Sequence, residues 1–272
     1  MSRGKPLHLH IVDGVATVVI DNPPVNLFDR LLYPAMMRVA EEVAADDDVR
    51  VVVLRSLNPD FFIAHFDVTL IQMLPTDAPR AEELNSFHAM CEAFRTMPKA
   101  TIAVIEGRVG GGGSELALSC DMRFAALGQA VFNQPEVALG ILPGGSGTVR
   151  LARLAGRSRA LEAILGCDDI DAATAAEWGW VNRALPPDEL WPFVDRLARR
   201  IASFPPHAVA AAKAAVLRAE KEVVADLLAE GDAFNATLGH PRTVAALAAF
   251  MDRGGQTPEG ERRLGELAGE LG

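Results

Sequence analysis

The stretch GRVGGGGSELALSCD, residues 107–121, decides how this chain folds, because it sets four consecutive glycines directly before an apolar segment. A strand-like run, ATIAVIEG, leads into it. Glycine costs backbone entropy on folding and adds no side chain to the core. A strand that enters a helix through such a turn leaves the first amides of the helix free, at the positive end of the helix dipole. We therefore expect these amides to hold an anion or a developing oxyanion.

The spacing of the glycines argues against nucleotide-phosphate binding. The run lacks the GxGxxG pattern of a dinucleotide fold, and no GK[ST] follows it as in a phosphate-binding loop. A carbonyl oxygen is the better partner for these amides.

Two glutamates accompany the glycine run. Glu115 falls in the first turn of the helix, and Glu136 follows Pro135 in FNQPEVALG. Two carboxyl groups beside an amide pocket can act as acid and base if their environments separate their pKa values. A glutamate in a first helical turn also commonly interacts only with the helix dipole. Spacing alone leaves both interpretations open for Glu115.

Composition limits the class of protein. The 272 residues are 50% hydrophobic and 23% charged, which fits one large globular domain or a core with a smaller appendage. The 36 acidic and 26 basic residues give a formal net charge of -10, which argues against a nucleic-acid partner.

The cysteines and the apolar runs indicate the compartment. Cys91, Cys120 and Cys167 are odd in number and lack CxxC spacing, so we expect reduced thiols and no zinc ribbon. No signal-peptide core opens the chain and no apolar run has the length of a membrane span. His8 and His10 share a strand face without a third ligand nearby, so no metal is expected. The sequence predicts a cytoplasmic protein without a membrane partner.

Hydrophobic periodicity predicts an α/β fold. LHLHIVDGVATVVID reads as a β-hairpin turning at Asp13-Gly14, followed by a helix over about 30–45 and the strand VRVVVLRS. We then expect a helix in AEELNSFHAMCEAFRTM, the strand ATIAVIEG, a helix from Ser114, and the short strands MRFA, AVF and WGWVNRALP. Beyond about residue 187 the pattern is helical and ends in a polar, glycine-interrupted tail. We predict an α/β core over 1–200 and a helical region over 201–272.

At this point the motifs show a family resemblance. GRVGGGGSELALSCDMRFA, FNQPEVALGILPGGSGTVRLARLAGRSRALEAIL and WGWVNRALP closely resemble the enoyl-CoA hydratase/isomerase (crotonase) superfamily. The resemblance runs from the hairpin and NPPVN to SFPPHAVAAAKAAV. It implies repeated ββα units wound into a spiral, a C-terminal helical region that packs in a trimer or a dimer of trimers, and an acyl-CoA substrate without a separate cofactor.

The resemblance also implies the residues of the site. The oxyanion donors would be the amides of Gly112, in the GGGxE pattern, and Phe66, in FIAHFD. His65 and Phe66 depart from the small residues usual in the family, and His65 could be a structural residue, a ligand contact or an extra acid. Glu115 and Glu136 match the two glutamates of the hydratases: the pair would activate a water for attack on the β carbon, and Glu136 would exchange the α proton.

Further positions are implied as contacts of the acyl-CoA. These are the backbone of Ala64 to Val68 and the PPVNLF segment, together with residues beside the glutamates: Val25, Leu27, Ala64, His65, Asp67, Val68, Gly111, Pro135 and Gly144. Proline alone would also explain NPPVN as a rigid loop.

Three functions remain open at this stage. The presence of both glutamates favours reversible addition of water to a 2-enoyl-CoA. The His65-Phe66 departure keeps open an isomerase or a carbon-carbon bond-cleaving relative. A catalytically silent acyl-CoA-binding scaffold is the third, although such a protein would have no chemical need for both glutamates and the full glycine run.

Overall fold

The computed structural model describes residues 4–76, 79–220 and 223–271. Its elements alternate between strands and helices over the first two thirds of the described chain. The strands are β1 (Leu7–Val12), β2 (Val15–Ile20), β3 (Val51–Ser56), β4 (Phe61–Ile63), β5 (Ala100–Ile105), β6 (Arg108–Gly110), β7 (Met122–Ala126), β8 (Val131–Asn133), β9 (Ile170–Asp171) and β10 (Arg183–Leu185).

Helices connect these strands and then form the rest of the described chain. They are α1 (Leu32–Ala45), α2 (Val68–Ile71), α3 (Ser86–Thr96), α4 (Gly111–Ser119), α5 (Gly147–Ala155), α6 (Arg157–Gly166), α7 (Ala172–Trp178), α8 (Pro187–Ala202), α9 (Pro206–Leu217), α10 (Val223–Leu238), α11 (Pro241–Asp252), α12 (Pro258–Arg262) and α13 (Leu264–Gly269). A short 3₁₀ helix, Glu136–Leu139, follows β8.

The strands form two sheets, and from β3 to β8 successive strands along the chain join these sheets alternately. The larger sheet has the order β1-β2-β3-β5-β7-β10, and the smaller has the order β4-β6-β8-β9. From β3 onwards, β3, β5 and β7 join the larger sheet while β4, β6 and β8 join the smaller one, all in parallel. Each pair of strands is followed by helix, so the expected spiral of ββα units is confirmed.

The opening hairpin follows from its turn residues. Asp13 and Gly14 both have positive φ, at 51° and 77°, as a tight primed turn requires. β1 and β2 pair antiparallel from Leu7 opposite Ile20 to Val12 opposite Val15. The hairpin predicted from Asp-Gly is confirmed.

The larger sheet is covered on both faces, and β3 shows why its sequence is apolar throughout. Val52 and Leu54 face the main core, whereas Val51 and Val53 face a second cluster that includes Leu190 of α8. Successive side chains of a strand point to opposite faces. A strand buried on both faces therefore has no polar alternation.

Two predicted helix starts were wrong. α3 begins at Ser86, because the side chain of Asn85 accepts a hydrogen bond from the His88 amide (2.8 Å) and caps the helix there. α4 begins at Gly111 and not at Ser114, so the glycine run supplies its first turn.

The predicted polar tail is also partly helical and packed. α12 and α13 lie within it, and Leu264 and Leu267 are buried in one apolar cluster with Val68, Leu139 and Phe250. Proline at the first residue, Pro258, and threonine at the N-cap, Thr257, start α12 despite the glycines around it. The division at residues 200 and 201 stays a prediction, and its outer ends, residues 1 and 272, lie outside the described residues.

Leu267→Ala should lower the free energy of unfolding by about 2–5 kcal/mol, because it opens a cavity beneath α13. Val244→Ala is the matched control, since Val244 is 61% exposed on α11. Urea unfolding would measure both. A Leu267 variant as stable as the control would contradict the packing of α13 as part of the core.

Candidate active site

The glycine run approaches its neighbours too closely to carry side chains. Gly111 has φ +43°, which turns the chain from β6 into α4, and a Cβ there would lie 2.8 Å from Glu136 Oε1 and 3.1 Å from His65 Cβ. A Cβ on Gly113 would lie 2.8 Å from Ile63 Cβ. The run therefore lets α4 begin against β4. Its bare backbone faces the segments that carry His65 and Glu136.

The Gly112 amide is free to bind a ligand because of its place in α4. It belongs to the first turn, whose amides have no acceptor within the helix. A Cβ on Gly112 would lie 3.4 Å from Phe66 Cβ and 3.2 Å from Phe87 Cζ. The structure therefore brings Gly112 beside the loop that carries Phe66.

The peptide unit before Phe66 is oriented by a bridge to Phe28. The Phe28 amide donates to the His65 carbonyl (3.0 Å), and the Phe28 carbonyl accepts from the Asp67 amide (3.2 Å). In a trans peptide the N–H points opposite to the C=O. The Phe66 N–H therefore points away from Phe28, and it has no acceptor within the described part of the chain.

A cavity of about 260 Å³ lies over these amides and is lined mainly by apolar side chains. It brings together eight of the predicted residues: His65, Phe66, Val68, Gly112, Glu115, Pro135, Glu136 and Gly144. The structure therefore gathers the predicted donors and both glutamates around one cavity.

The other predicted contacts lie at its margin or elsewhere. Gly111 packs against the side chains of Glu136 and His65. Asp67 caps α2 by accepting from the Thr69 amide (2.9 Å). Val25 and Ala64 are buried in a separate small cluster with Phe61, and Leu27 packs against its edge. Packing accounts for these last three residues; a role in binding stays a prediction.

Glu115 is held by backbone amides at the N-terminus of α5. Its Oε1 accepts from the amides of Gly145 (2.8 Å) and Gly147 (2.9 Å). Burial, and next the nearby Glu136 and Glu230 carboxylates, raise the pKa of Glu115 well above its usual value, although the two amides oppose the shift. The Glu115 carboxyl group is therefore protonated more readily than that of an ordinary glutamate.

Glu136 is less well satisfied. Its Oε2 is buried and makes no hydrogen bond to the described residues. Burial, aided by Glu230 and opposed by the Glu136 amide and by His65, raises the pKa of Glu136 to about 7. The two carboxyl groups thus differ in environment, as acid and base roles require.

A third buried glutamate, Glu230 of α10, was missed by the sequence analysis. It accepts from the amides of Ser146 (2.5 Å), Thr148 (2.9 Å) and Val149 (3.2 Å), and lies 3.1 Å from His88 Nε2. Neighbouring amides at the start of α5 therefore bind Glu115 and Glu230. Only the fold brings residue 230 to residue 146, and the local sequence around Glu230 shows no motif.

Aromatic side chains close one side of the cavity. Tyr33, Phe66 and Phe87 pack with ring centroids 5.3–5.8 Å apart, and the Tyr33 hydroxyl donates to Ser86 (2.7 Å). Phe234 and Phe250 line the cavity from the C-terminal helices. Apart from Phe66, sequence reasoning missed these rings, because aromatic residues in predicted helices and loops look the same in a core or a pocket.

Neither a metal-binding cluster nor a membrane-spanning helix occurs among the described residues. In the part of the chain that is described, no cluster of three or more His, Cys, Asp or Glu side chains could hold a metal ion. Across the same residues, no helix combines the length and the apolar character needed to cross a membrane.

Comparison with known proteins gives a consistent family. A sequence model of the enoyl-CoA hydratase/isomerase family matches residues 10–257. The short-chain-enoyl-CoA hydratase of Clostridium acetobutylicum is 32% identical over 241 residues, covering 88% of this chain and 92% of that protein. The crotonyl-CoA hydratase of Syntrophomonas wolfei is 32% identical over 246 residues, covering 89% and 93%. A crystallised Streptomyces avermitilis protein, assigned as an enoyl-CoA hydratase, is 40% identical with a TM-score of 0.89 and 98% coverage of both chains.

Glu230→Ala should destabilise the protein by about 3–5 kcal/mol, since three amides and His88 lose a buried partner. Asp226→Asn, one turn earlier on α10, is the matched control, because its pair with Arg153 is half exposed and worth about 0–1 kcal/mol. Thermal unfolding would compare them. Equal melting temperatures would show that Glu230 does not hold the loop before α5.

Proposed function

The chain belongs to the enoyl-CoA hydratase/isomerase family, and we propose that it catalyses the reversible addition of water to a 2-enoyl-CoA thioester. The observation that carries this proposal is the pair of buried carboxyl groups, Glu115 and Glu136, beside the free amides of Phe66 and Gly112 around one cavity. The activities named for the relatives agree with it.

The two amides would bind the thioester carbonyl oxygen. As water adds to the β carbon, negative charge moves to this oxygen, and donors that are already oriented stabilise it without reorganisation. A donor of this kind is worth roughly 3–4 kcal/mol in a transition state. The donation is from the main chain, so the bulky side chain of Phe66 does not interfere with it.

The carboxyl pair would work with a single proton between its two members. In dehydration, ionised Glu136 takes the α proton while protonated Glu115 gives its proton to the leaving hydroxyl. In hydration the same steps run backwards: Glu115 takes a proton from water as the oxygen attacks the β carbon, and Glu136 returns its proton to the α carbon. The pKa values of both groups are raised, and their different hydrogen-bond partners fit this division.

We propose that the enzyme needs no separate cofactor, is a homo-oligomer and works in the cytoplasm. Proton transfer and oxyanion stabilisation need no electron carrier, so coenzyme A enters only as part of the substrate. We propose a homotrimer or a dimer of trimers, supported by helix α9, which is mostly alanine and valine yet has no buried residue. The three free, buried cysteines fit a reducing cytoplasm.

Substitution of either glutamate by glutamine should separate removal of the α proton from activation of water. Glu136→Gln should lose both hydration and α-proton exchange, whereas Glu115→Gln should lose hydration but keep exchange, each loss being about 10²–10⁴-fold. Hydration is followed by the loss of enoyl-thioester absorbance and the gain of one water by mass. Exchange is followed with butyryl-CoA in deuterated water.

Three results would contradict this assignment. Exchange that survives in Glu136→Gln would remove Glu136 from the α carbon. Hydration that survives in Glu115→Gln would remove Glu115 from the water. No water gain with short, medium or aromatic 2-enoyl-CoA would favour an isomerase, a carbon-carbon bond-cleaving enzyme or a scaffold.

The rate of hydration should depend on pH through the proton on the carboxyl pair. Below about pH 7, Glu136 becomes protonated as well, so kcat/KM should fall as pH decreases through that value. The raised pKa of Glu115 keeps a proton on the pair beyond the usual range of a carboxyl group, and loss of that proton at higher pH should lower the rate again. A pH–rate profile without the acid limb would contradict the proposed roles.

A further inference from the structure

His65 lies in the loop between β4 and α2, and both of its ring nitrogens face acceptors. Nδ1 is 2.8 Å from the Phe66 carbonyl oxygen, and Nε2 is 3.0 Å from Glu261 Oε1. A carbonyl oxygen can only accept, so Nδ1 must carry a hydrogen. A neutral ring would then turn the lone pair of Nε2 towards the Glu261 carboxylate. Hydrogens on both nitrogens satisfy both acceptors, and such a ring is a cation.

Burial and charge agree with this assignment. The His65 and Glu261 side chains are only 6% and 1% exposed. Burial lowers the pKa of His65, but the Glu261 carboxylate and the two hydrogen bonds outweigh it and raise the pKa to about 9. Burial raises the pKa of Glu261, and His65 reverses this and brings it below its usual value. The pair is therefore ionised on both sides at neutral pH.

Glu261 comes from α12, in the C-terminal segment, and a second contact of that segment fixes the same loop. Gln256 accepts from the Val68 amide (2.6 Å) and donates to Asp67 (3.2 Å), and its own amide donates to Glu261 (2.6 Å). The segment from Gln256 to Glu261 thus holds the loop on both sides of Phe66. In this protein the orientation of that loop depends on residues almost 200 positions away.

The His65 cation also adjoins the catalytic pair. Gly111 separates His65 from Glu136, since a Cβ on Gly111 would nearly touch both side chains. The charged groups around His65 are Glu261 from α12 and Glu136 from the 3₁₀ helix. Arg108 of β6 acts on Glu261, and Glu230 acts on Glu136. His65 is the cation whose charge lowers the pKa of Glu136.

We propose that protonated His65, held by Glu261, is a positioning residue of this site: it fixes the Phe66 carbonyl and places a positive charge beside the Glu136 carboxylate. Glu136 is thereby kept ionised at a pH where burial alone would protonate it. The effect of His65 on catalysis rests on the proposed hydration. The charge of His65 can be measured without any reaction.

Glu261→Gln is the variant that isolates the charge. A glutamine amide can donate to the free Nε2 of a neutral His65, so hydrogen bonding persists while the reason for the cation disappears. Glu259→Gln is the matched control, because Glu259 is exposed on the same short helix. Circular dichroism and thermal unfolding would confirm that both variants fold.

The first readout is NMR titration of the free protein, with the resonances of His65 and Glu136 assigned from His65→Gln and Glu136→Gln. In the wild type and in Glu259→Gln, His65 should titrate near pH 9. In Glu261→Gln it should titrate well below that, and the Glu136 carboxyl should titrate roughly one pH unit higher than in the wild type. A His65 that is neutral at pH 7 in the wild type would overturn the proposal.

The second readout is the acid limb of α-proton exchange. Glu136 must be ionised to take the α proton, so in Glu261→Gln the limb should move to higher pH by the same roughly one unit, and in Glu259→Gln it should not move. A limb that stays in place although His65 has lost its charge would also overturn the proposal. If the wild type hydrates no enoyl-CoA, the proposed function fails, while the NMR titrations still decide the role of His65.

Discussion

Four carboxyl groups, those of Glu115, Glu136, Glu230 and Glu261, are buried, and the cost of burying them shapes the structure near the cavity that Glu115 and Glu136 line. An ionised carboxylate without partners is strongly disfavoured in an apolar interior. Glu230 is satisfied by three amides and contacts His88, and Glu261 is satisfied by His65 and the Gln256 amide. Glu115 receives two amides on one oxygen. Of these four, Glu136 has the fewest hydrogen-bond partners among the described residues, so the largest uncompensated cost of burial falls on the group that we propose exchanges the α proton.

Backbone amides supply most of this compensation. The turn into α4 and the loop into α5 are both glycine-rich and both end at a helix N-terminus, where amides have no acceptor within the helix. The first presents the Gly112 amide to the cavity, and the second binds Glu115 and Glu230 through neighbouring amides. This explains how a chain with a net charge of -10 can gather acidic groups at its centre without a cluster of lysines or arginines.

The C-terminal segment completes the site from outside the α/β core. Its apolar residues, including Leu264 and Leu267, pack on Val68 and Leu139, and its polar residues, Gln256 and Glu261, bind the loop that carries Phe66. The composition of this segment resembles a solvent-exposed tail, because glycines and charges dominate it. A few buried contacts nevertheless decide its position, which local propensity does not record.

Local sequence patterns were sufficient to predict the hairpin at Asp13-Gly14 and the alternation of strands and helices. They were also sufficient to identify the family, through the motifs that contain Glu115 and Glu136. These features depend on neighbours in sequence, through turn dihedrals, hydrophobic period and helix-terminal amides. The start of α4 at Gly111, the partner of His65 and the presence of Glu230 beneath the site could not be obtained in this way. Each depends on contacts between residues as distant as 65 and 261, and tertiary packing alone decides which buried charges meet.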